Sequence, residues 1–196
     1  MNTITDHPAL LSARLKHETA GLHQEMHDLM AQLQPFSSRA RYASFVAAQY
    51  HFQRDVEHLF DDPALRAAVP DLQVRGREAA ALADLADLDI APGQAALATT
   101  AVRMPEALGW LYVSEGSTLG AAFLLKEVKE QLGLHEQFGA RHLAAYPEGR
   151  ALVWRRFVGL LDQPGLSPVA QQAVLDGAKA AFARFGELLR QQFAAA

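Results

Sequence analysis

Among its 196 residues the chain has no cysteine. Disulfide staples, iron–sulfur clusters and thiolate chemistry are therefore excluded. It also lacks any uninterrupted apolar run near the roughly 18 residues a membrane span requires. No dense basic stretch is present, and 18 Lys and Arg against 22 Asp and Glu leave a formal charge of −4. That argues against nucleic acid as a partner, because nothing concentrates enough positive charge to displace counterions from a phosphate backbone. The opening stretch "MNTITDHPALLSARLKHE" has neither the basic flank nor the apolar centre of a secretory signal. A cytoplasmic protein without membrane contact is the expectation. Strand-like alternation is almost absent, and no internal repeat is visible.

What is present is helical periodicity, in a chain that is 50% apolar. The first segment, "HPALLSARLKHETAGLHQEMHDLM", offers Asp6 as an N-cap and Pro8 in the first turn, with Leu11, Leu15, Leu22 and Met26 at helical spacing. A second helix follows Ser37 or Ser38 and carries Tyr42, Phe45, Val46, Gln49, Phe52, Val56 and Leu59 along one stripe. Shorter pieces are expected over 64–69 and 72–85, and "LADLDIAPGQ" reads as a loop. Pro105 restarts a long helix through about Leu132, expected to break or bend near its glycines. Another helix lies within "PEGRALVWRRFVGLLDQ" and stops at Pro164 and Gly165. The last begins at Ser167–Pro168 and runs to about Phe193. The expected architecture is one all-α domain over residues 1–196, a helical bundle joined by short loops.

Two stretches stand out chemically. In "LKHETAGLHQEMH", His23 and His27 are four apart and share a helix face. The resemblance of "HQEMH" to a zinc-protease motif fails, because the only glutamate, Glu25, is turned about 200° away from the His23 face. A two-histidine metal site completed by carboxylates such as Asp55, Glu57 or Glu115 stays open, as does a single neutral imidazole serving as axial ligand to haem iron. A histidine packed at a polar edge of the core is the plain alternative. The second stretch is "GWLYVSEGSTLGAAFLLKEV". Gly116 and Gly120 lie inside this helix, each costing roughly 1 kcal/mol against alanine. Such a pair lets either another helix or a flat ligand approach the backbone. Gly109, Ser114, Ser117 and Thr118 add to the small-residue surface.

Together these stretches resemble the haem oxygenase family. "LKHETAGLH" is similar to its proximal-helix pattern at Leu15, Lys16, Thr19, Leu22 and His23, and "EGSTLGA" to its distal-helix signature. "LYVSEGSTLG" is particularly similar to the bacterial, bacteriophytochrome-associated branch, and "SPVAQQAVLDGAKAAFARFGELL" resembles the closing helix. The chain differs from the family pattern in three places. His27 stands where a Glu is frequent, Ser117 where an Asp often follows the first distal glycine, and Ala121 where another Gly is common.

The resemblance implies a helical fold that sandwiches haem between a proximal and a distal helix, with haem as both cofactor and substrate. It implies oxidation with dioxygen to biliverdin, carbon monoxide and ferrous iron. His23 would ligate the iron, and Gly116, Ser117 and Gly120 would form the catalytic wall. Lys16 and Thr19 belong to the proximal motif. Lys16 is expected on a propionate, with Arg150 as second candidate and Arg155 and Arg156 behind it. Phe157, Phe182 and Phe185 are expected as pocket walls or core. With no flavin or nicotinamide motif, a separate electron-donor protein is implied, and a bacteriophytochrome is an expected acceptor of biliverdin. Alternatives are a haem-storage protein on the same scaffold, a thiaminase-like helical enzyme, whose acidic and thiol groups are missing, and a plain interaction bundle.

Overall fold

The computed structural model describes residues 10–195, so Asp6 and Pro8 lie outside the described residues. Among those described, eight α-helices and three short 3-10 turns form the fold, with no strand. The helices are α1 (Leu11–Glu18), α2 (Ala20–Leu33), α3 (Arg39–His58), α4 (Pro63–Ala68), α5 (Glu78–Asp87), α6 (Glu106–Leu132), α7 (Arg150–Leu161) and α8 (Pro168–Ala194).

The caps follow the sequence. Ser38 accepts the Arg41 amide at the start of α3, and Ser167 accepts that of Ala170 ahead of Pro168. The expected piece at 72–85 is a 3-10 turn at Leu72–Arg75 followed by α5. The first predicted helix, however, is two. Its break falls at Thr19, whose hydroxyl donates to the Leu15 carbonyl at 2.8 Å while its own amide bonds the same oxygen. Such back-bonding competes with the helical ladder and bends it. The expected break near the distal glycines does not occur, and α6 runs without interruption for 27 residues.

The core is centred on α3, whose Tyr42, Phe45, Val46, Phe52 and Val56 are buried. α8 packs against α3, α6 and α2. Where α6 crosses α8, two glycines allow the backbones to touch. A Cβ on Gly109 would come within 2.8 Å of the Gly177 carbonyl carbon and closer still to Val174 O and Ala178 N. A Cβ on Gly177 would strike the Glu106 carbonyl in turn. The long segment between α5 and α6 is tied to α3, where His51 Nε2 bonds the Pro92 carbonyl at 2.7 Å and Asp55 accepts the Ala98 amide at 2.9 Å.

α2 is the exception to this packing. None of its 14 residues is buried, although Leu22, Met26, Leu29 and Met30 are partly covered. A helix with so little of its surface removed from water lacks the usual source of helical stability. Its free face is turned toward α6.

Candidate haem slot

α2 and α6 meet at one end and part at the other. At the near end the Tyr112 side chain lies beside Thr19, and burial holds that phenol above its ordinary pKa. At the far end a cavity of about 480 Å³ separates Met30, Ala31 and Gln34 from Leu124, Glu127 and Gln131, floored by Pro35 and Phe36. The helices therefore run side by side in the same sense. His23 is four residues past Thr19, and Gly116 is four past Tyr112, which brings both one turn into the gap. At 100° per residue, Thr19, His23 and Met30 fall on one stripe of α2, and Tyr112, Gly116, Gly120 and Glu127 on one stripe of α6. Eleven or twelve residues between the two ends make a slot about 17 Å long.

His23 is exposed toward this slot. Its ring meets Phe182 of α8 edge-on at 6.4 Å and His27 at 4.6 Å between centroids. Loss of hydration on the α8 side, helped by the nearby His27, holds the imidazole below its ordinary value of 6.5. It is neutral at pH 7, the form in which histidine ligates iron. The two-histidine site completed by carboxylates is not built. Asp55 is paired with Arg184 at 2.8 Å, Glu57 accepts the Arg77 and Glu78 amides, and Glu115 binds Arg75 at 2.5 Å. Among the described residues no three His, Asp or Glu side chains are grouped to hold a metal ion. A single axial imidazole beside an open slot suits haem instead.

The glycines of α6 divide by function. Gly109, expected to add to the bare surface, belongs to helix packing against α8. Gly120 has nothing within 4 Å of where its Cβ would stand, and Gly116 meets only the Trp154 ring at 3.6 Å. No helix backbone approaches either one, and the only neighbour of Gly116 is this side chain of α7. They leave main chain bare on the stripe that faces α2. Ser117 is exposed beside them, with its hydroxyl donating to the Ser114 carbonyl at 2.7 Å.

The basic candidates separate as well. Lys16 is exposed on α1, on the other side of the Thr19 break from His23, so the two do not share one straight helix face. Arg156 pairs with Glu148 at 2.7 Å on the surface, and Arg155 is exposed. Arg150, expected at a propionate, is otherwise engaged. Its guanidinium donates to the carbonyls of Thr118, Leu143 and Ala144 at 2.6, 2.6 and 3.0 Å, which leaves no fork free for a carboxylate. Phe157 is fully buried core, over which Arg75 stacks at 5.4 Å, and Phe185 packs on Phe52. Of the three phenylalanines only Phe182 reaches the slot.

Behind α6 lies a buried polar cluster that the sequence reading did not assemble. Glu115 accepts Arg75 and, at 2.7 Å, the Tyr146 hydroxyl, whose pKa is raised chiefly by burial. Arg77 donates to the Ser114 carbonyl and hydroxyl at 2.8 and 2.7 Å. These groups hold the turn that carries Gly116. Tyr112 was missed too, though its place four residues before Gly116 is a periodicity signal that could have found it.

The family model described as "Heme oxygenase" matches residues 9–191. Heme oxygenase PigA of Pseudomonas aeruginosa is 46% identical over 187 residues, covering 94% of each chain. Among solved structures, the NO- and CO-bound haem oxygenase of Neisseria meningitidis superposes with a TM-score of 0.88 at 37% identity, covering 95% of this chain and 93% of that one. Haem oxygenase-1 of the cyanobacterium Synechocystis, in complex with haem, shares the fold with a TM-score of 0.72 at 14% identity, over 93% and 92% of the two chains.

Proposed function

We infer function from one premise: the chain belongs to the haem oxygenase family. It is an enzyme that opens haem oxidatively to biliverdin, carbon monoxide and ferrous iron, with haem as both prosthetic group and substrate. Family membership favours turnover over storage. We propose that His23 would hold the haem iron and that Gly116, Ser117 and Gly120 form the facing wall. The observation that carries this is the open stripe of α6. Two glycines that no neighbouring backbone approaches lie one turn apart on α6, and a histidine held below its ordinary pKa stands on α2, none of whose residues is fully buried.

When bound, haem supplies the iron that activates dioxygen and the ring carbon that is attacked. The chain's own residues position, screen and deliver protons. A ring nitrogen of His23 would hold the iron, and the Phe182 edge limits rotation of the imidazole. The bare backbone at Gly116 and Gly120 lets the ring lie against main chain, where a Cβ would hold it off. Ser117 offers a hydroxyl that both donates and accepts, suited to ordering a water for proton delivery. Lys16 and the Tyr112 hydroxyl supply donors at the Thr19 end for the two carboxylates of the substrate. The far end is apolar at Met30, Pro35, Phe36 and Leu124, and Glu127 there repels a carboxylate. The charged edge of the ring would accordingly face the Thr19 end.

Electrons come from a separate donor protein, and biliverdin passes to an acceptor for which a bacteriophytochrome is our candidate. No helix among the described residues is long and apolar enough to cross a membrane. The test is a hemin titration followed by ascorbate or a reductase system in air. Loss of the Soret band with growth of a biliverdin spectrum is expected. A hemin complex that persists unchanged under reduction would leave storage as the function, and failure to bind hemin would sink both.

A further inference from the structure

Arg150 lacks the propionate role its position suggested, yet it sits against the distal helix at a telling place. Its Nη1 donates to the carbonyl of Thr118, midway between Gly116 and Gly120. Its Nη2 donates to Leu143 and Ala144, at the end of the 3-10 turn Arg141–Leu143. That turn is itself moored. Asp84 of α5, fully buried, accepts the Arg141 and His142 amides at 2.9 Å each and His142 Nδ1 at 2.8 Å. One turn earlier on α6, Arg77 grips the carbonyl of Ser114. The two arginines thus hold carbonyls four residues apart on a single helix face.

That face is opposite the slot. Ser114 and Thr118 each precede a glycine by two residues, which is about 200° around the helix. A carbonyl drawn outward by an extra donor loosens its main-chain bond. The helix then becomes convex on that side and concave on the other. The hydroxyls of Ser117 and Thr118 also donate back, to Ser114 and Glu115 at 2.7 and 2.6 Å, and weaken the same turn.

We propose that Arg150, with Arg77, is a clamp that curves α6 toward the haem slot and sets how closely Gly116 and Gly120 lie over the ring. Arg150 is a positioning residue: it touches neither haem nor the reacting atoms. The proposal rests on the haem oxygenase reading given above. Arginine suits the task because its planar fork bonds two separate elements at once, which a lysine ammonium on a flexible stem does less rigidly.

The experiment uses the full chain as wild type, Arg150→Met and Arg150→Lys. Deuterium uptake is measured without hemin. The backbone of 116–124 in Arg150→Met exchanges about tenfold faster, the size expected for losing charge-assisted hydrogen bonds, while α3 exchanges as in wild type. In the ferrous carbon monoxide complex, the C–O stretching band shifts because the backbone dipoles above the iron have moved. Arg150→Lys falls between the other two in both measurements. If Arg150→Met does not fold, Arg150→Lys alone decides, and wild-type uptake with an unshifted band in that variant overturns the clamp. So does an Arg150→Met variant that folds and matches wild type in both. Failure of the wild type to bind hemin would instead strike the haem oxygenase reading.

Discussion

Replacing Gly120 by alanine should stabilise the empty protein and damage the loaded one. The site of the new methyl is vacant, since no atom lies within 4 Å of the Cβ position, and the residue is exposed. In a helix interior the exchange gains about 1 kcal/mol of helix propensity, which for a chain of this size raises the melting temperature by about 2–4 °C. Haem needs the same space. An added methyl in a close-packed contact costs about 1–3 kcal/mol, which weakens hemin binding by about 5- to 150-fold. Thermal unfolding without hemin and a hemin titration read the two effects separately. A Gly120→Ala protein with lower stability, or with wild-type hemin affinity, would refute the reasoning. Gly109→Ala is the control of opposite sign. Its methyl strikes the α8 backbone, so folding should lose about 3 kcal/mol or more whether hemin is present or not.

His23→Ala should lose the histidine-type haem spectrum and turnover, with partial rescue by added imidazole, while His27→Ala keeps the spectrum; the reverse pattern in absorption spectra would reassign the ligand. Glu115→Gln takes one of two anions from the buried Arg75 guanidinium and leaves it Asp71, bonded at 2.8 Å, so it should cost about 1–3 kcal/mol in urea unfolding; a cost within experimental error of zero would show that Asp71 alone satisfies Arg75. The Asp62 carboxylate is held below its ordinary 3.8 mainly by the Ala64 amide. Because its folded pKa is depressed, its contribution is present above 3.8 and is lost as pH falls through the lower folded value. Asp62→Asn should therefore melt below wild type at neutral pH, with the gap closing under pH 3.8. A gap that widens on acidification would contradict the assignment.

The sequence carried the fold because each element had local punctuation. Ser38, Ser167–Pro168, Pro164 and Gly165 mark ends through capping and backbone restriction, which act over a few residues and need no tertiary context. The missed break at Thr19 has a different origin. A threonine in a helix either points to solvent or bonds back to the preceding turn, and which occurs depends on neighbours, here the Tyr112 hydroxyl. His23, Gly116 and Gly120 were legible as a pattern. Arg150 was not, because a cation near a pocket and a cation bridging carbonyls look alike until those carbonyls are located. The buried cluster of Arg75, Arg77, Glu115 and Tyr146 joins residues up to 71 positions apart, and no spacing rule reaches that far.

The glycines of α6 are alike in sequence and differ in their neighbours. Gly109, Gly116 and Gly120 have the same side chain and sit on the same helix, so propensity charges each the same amount. What distinguishes them is the neighbour. Gly109 is explained by α8 backbone already in contact, and its energetic cost is offset within the folded chain. Gly120 has no neighbour to offset it, and Gly116 has only the Trp154 ring at ordinary van der Waals distance. Openness alone does not name a partner, since Gly159 of α7 is equally free of neighbours. What sets Gly116 and Gly120 apart is that they lie one turn apart on one stripe of α6, a strip of main chain on the side toward α2, the helix that carries His23, and it is this strip that we propose a flat ligand covers.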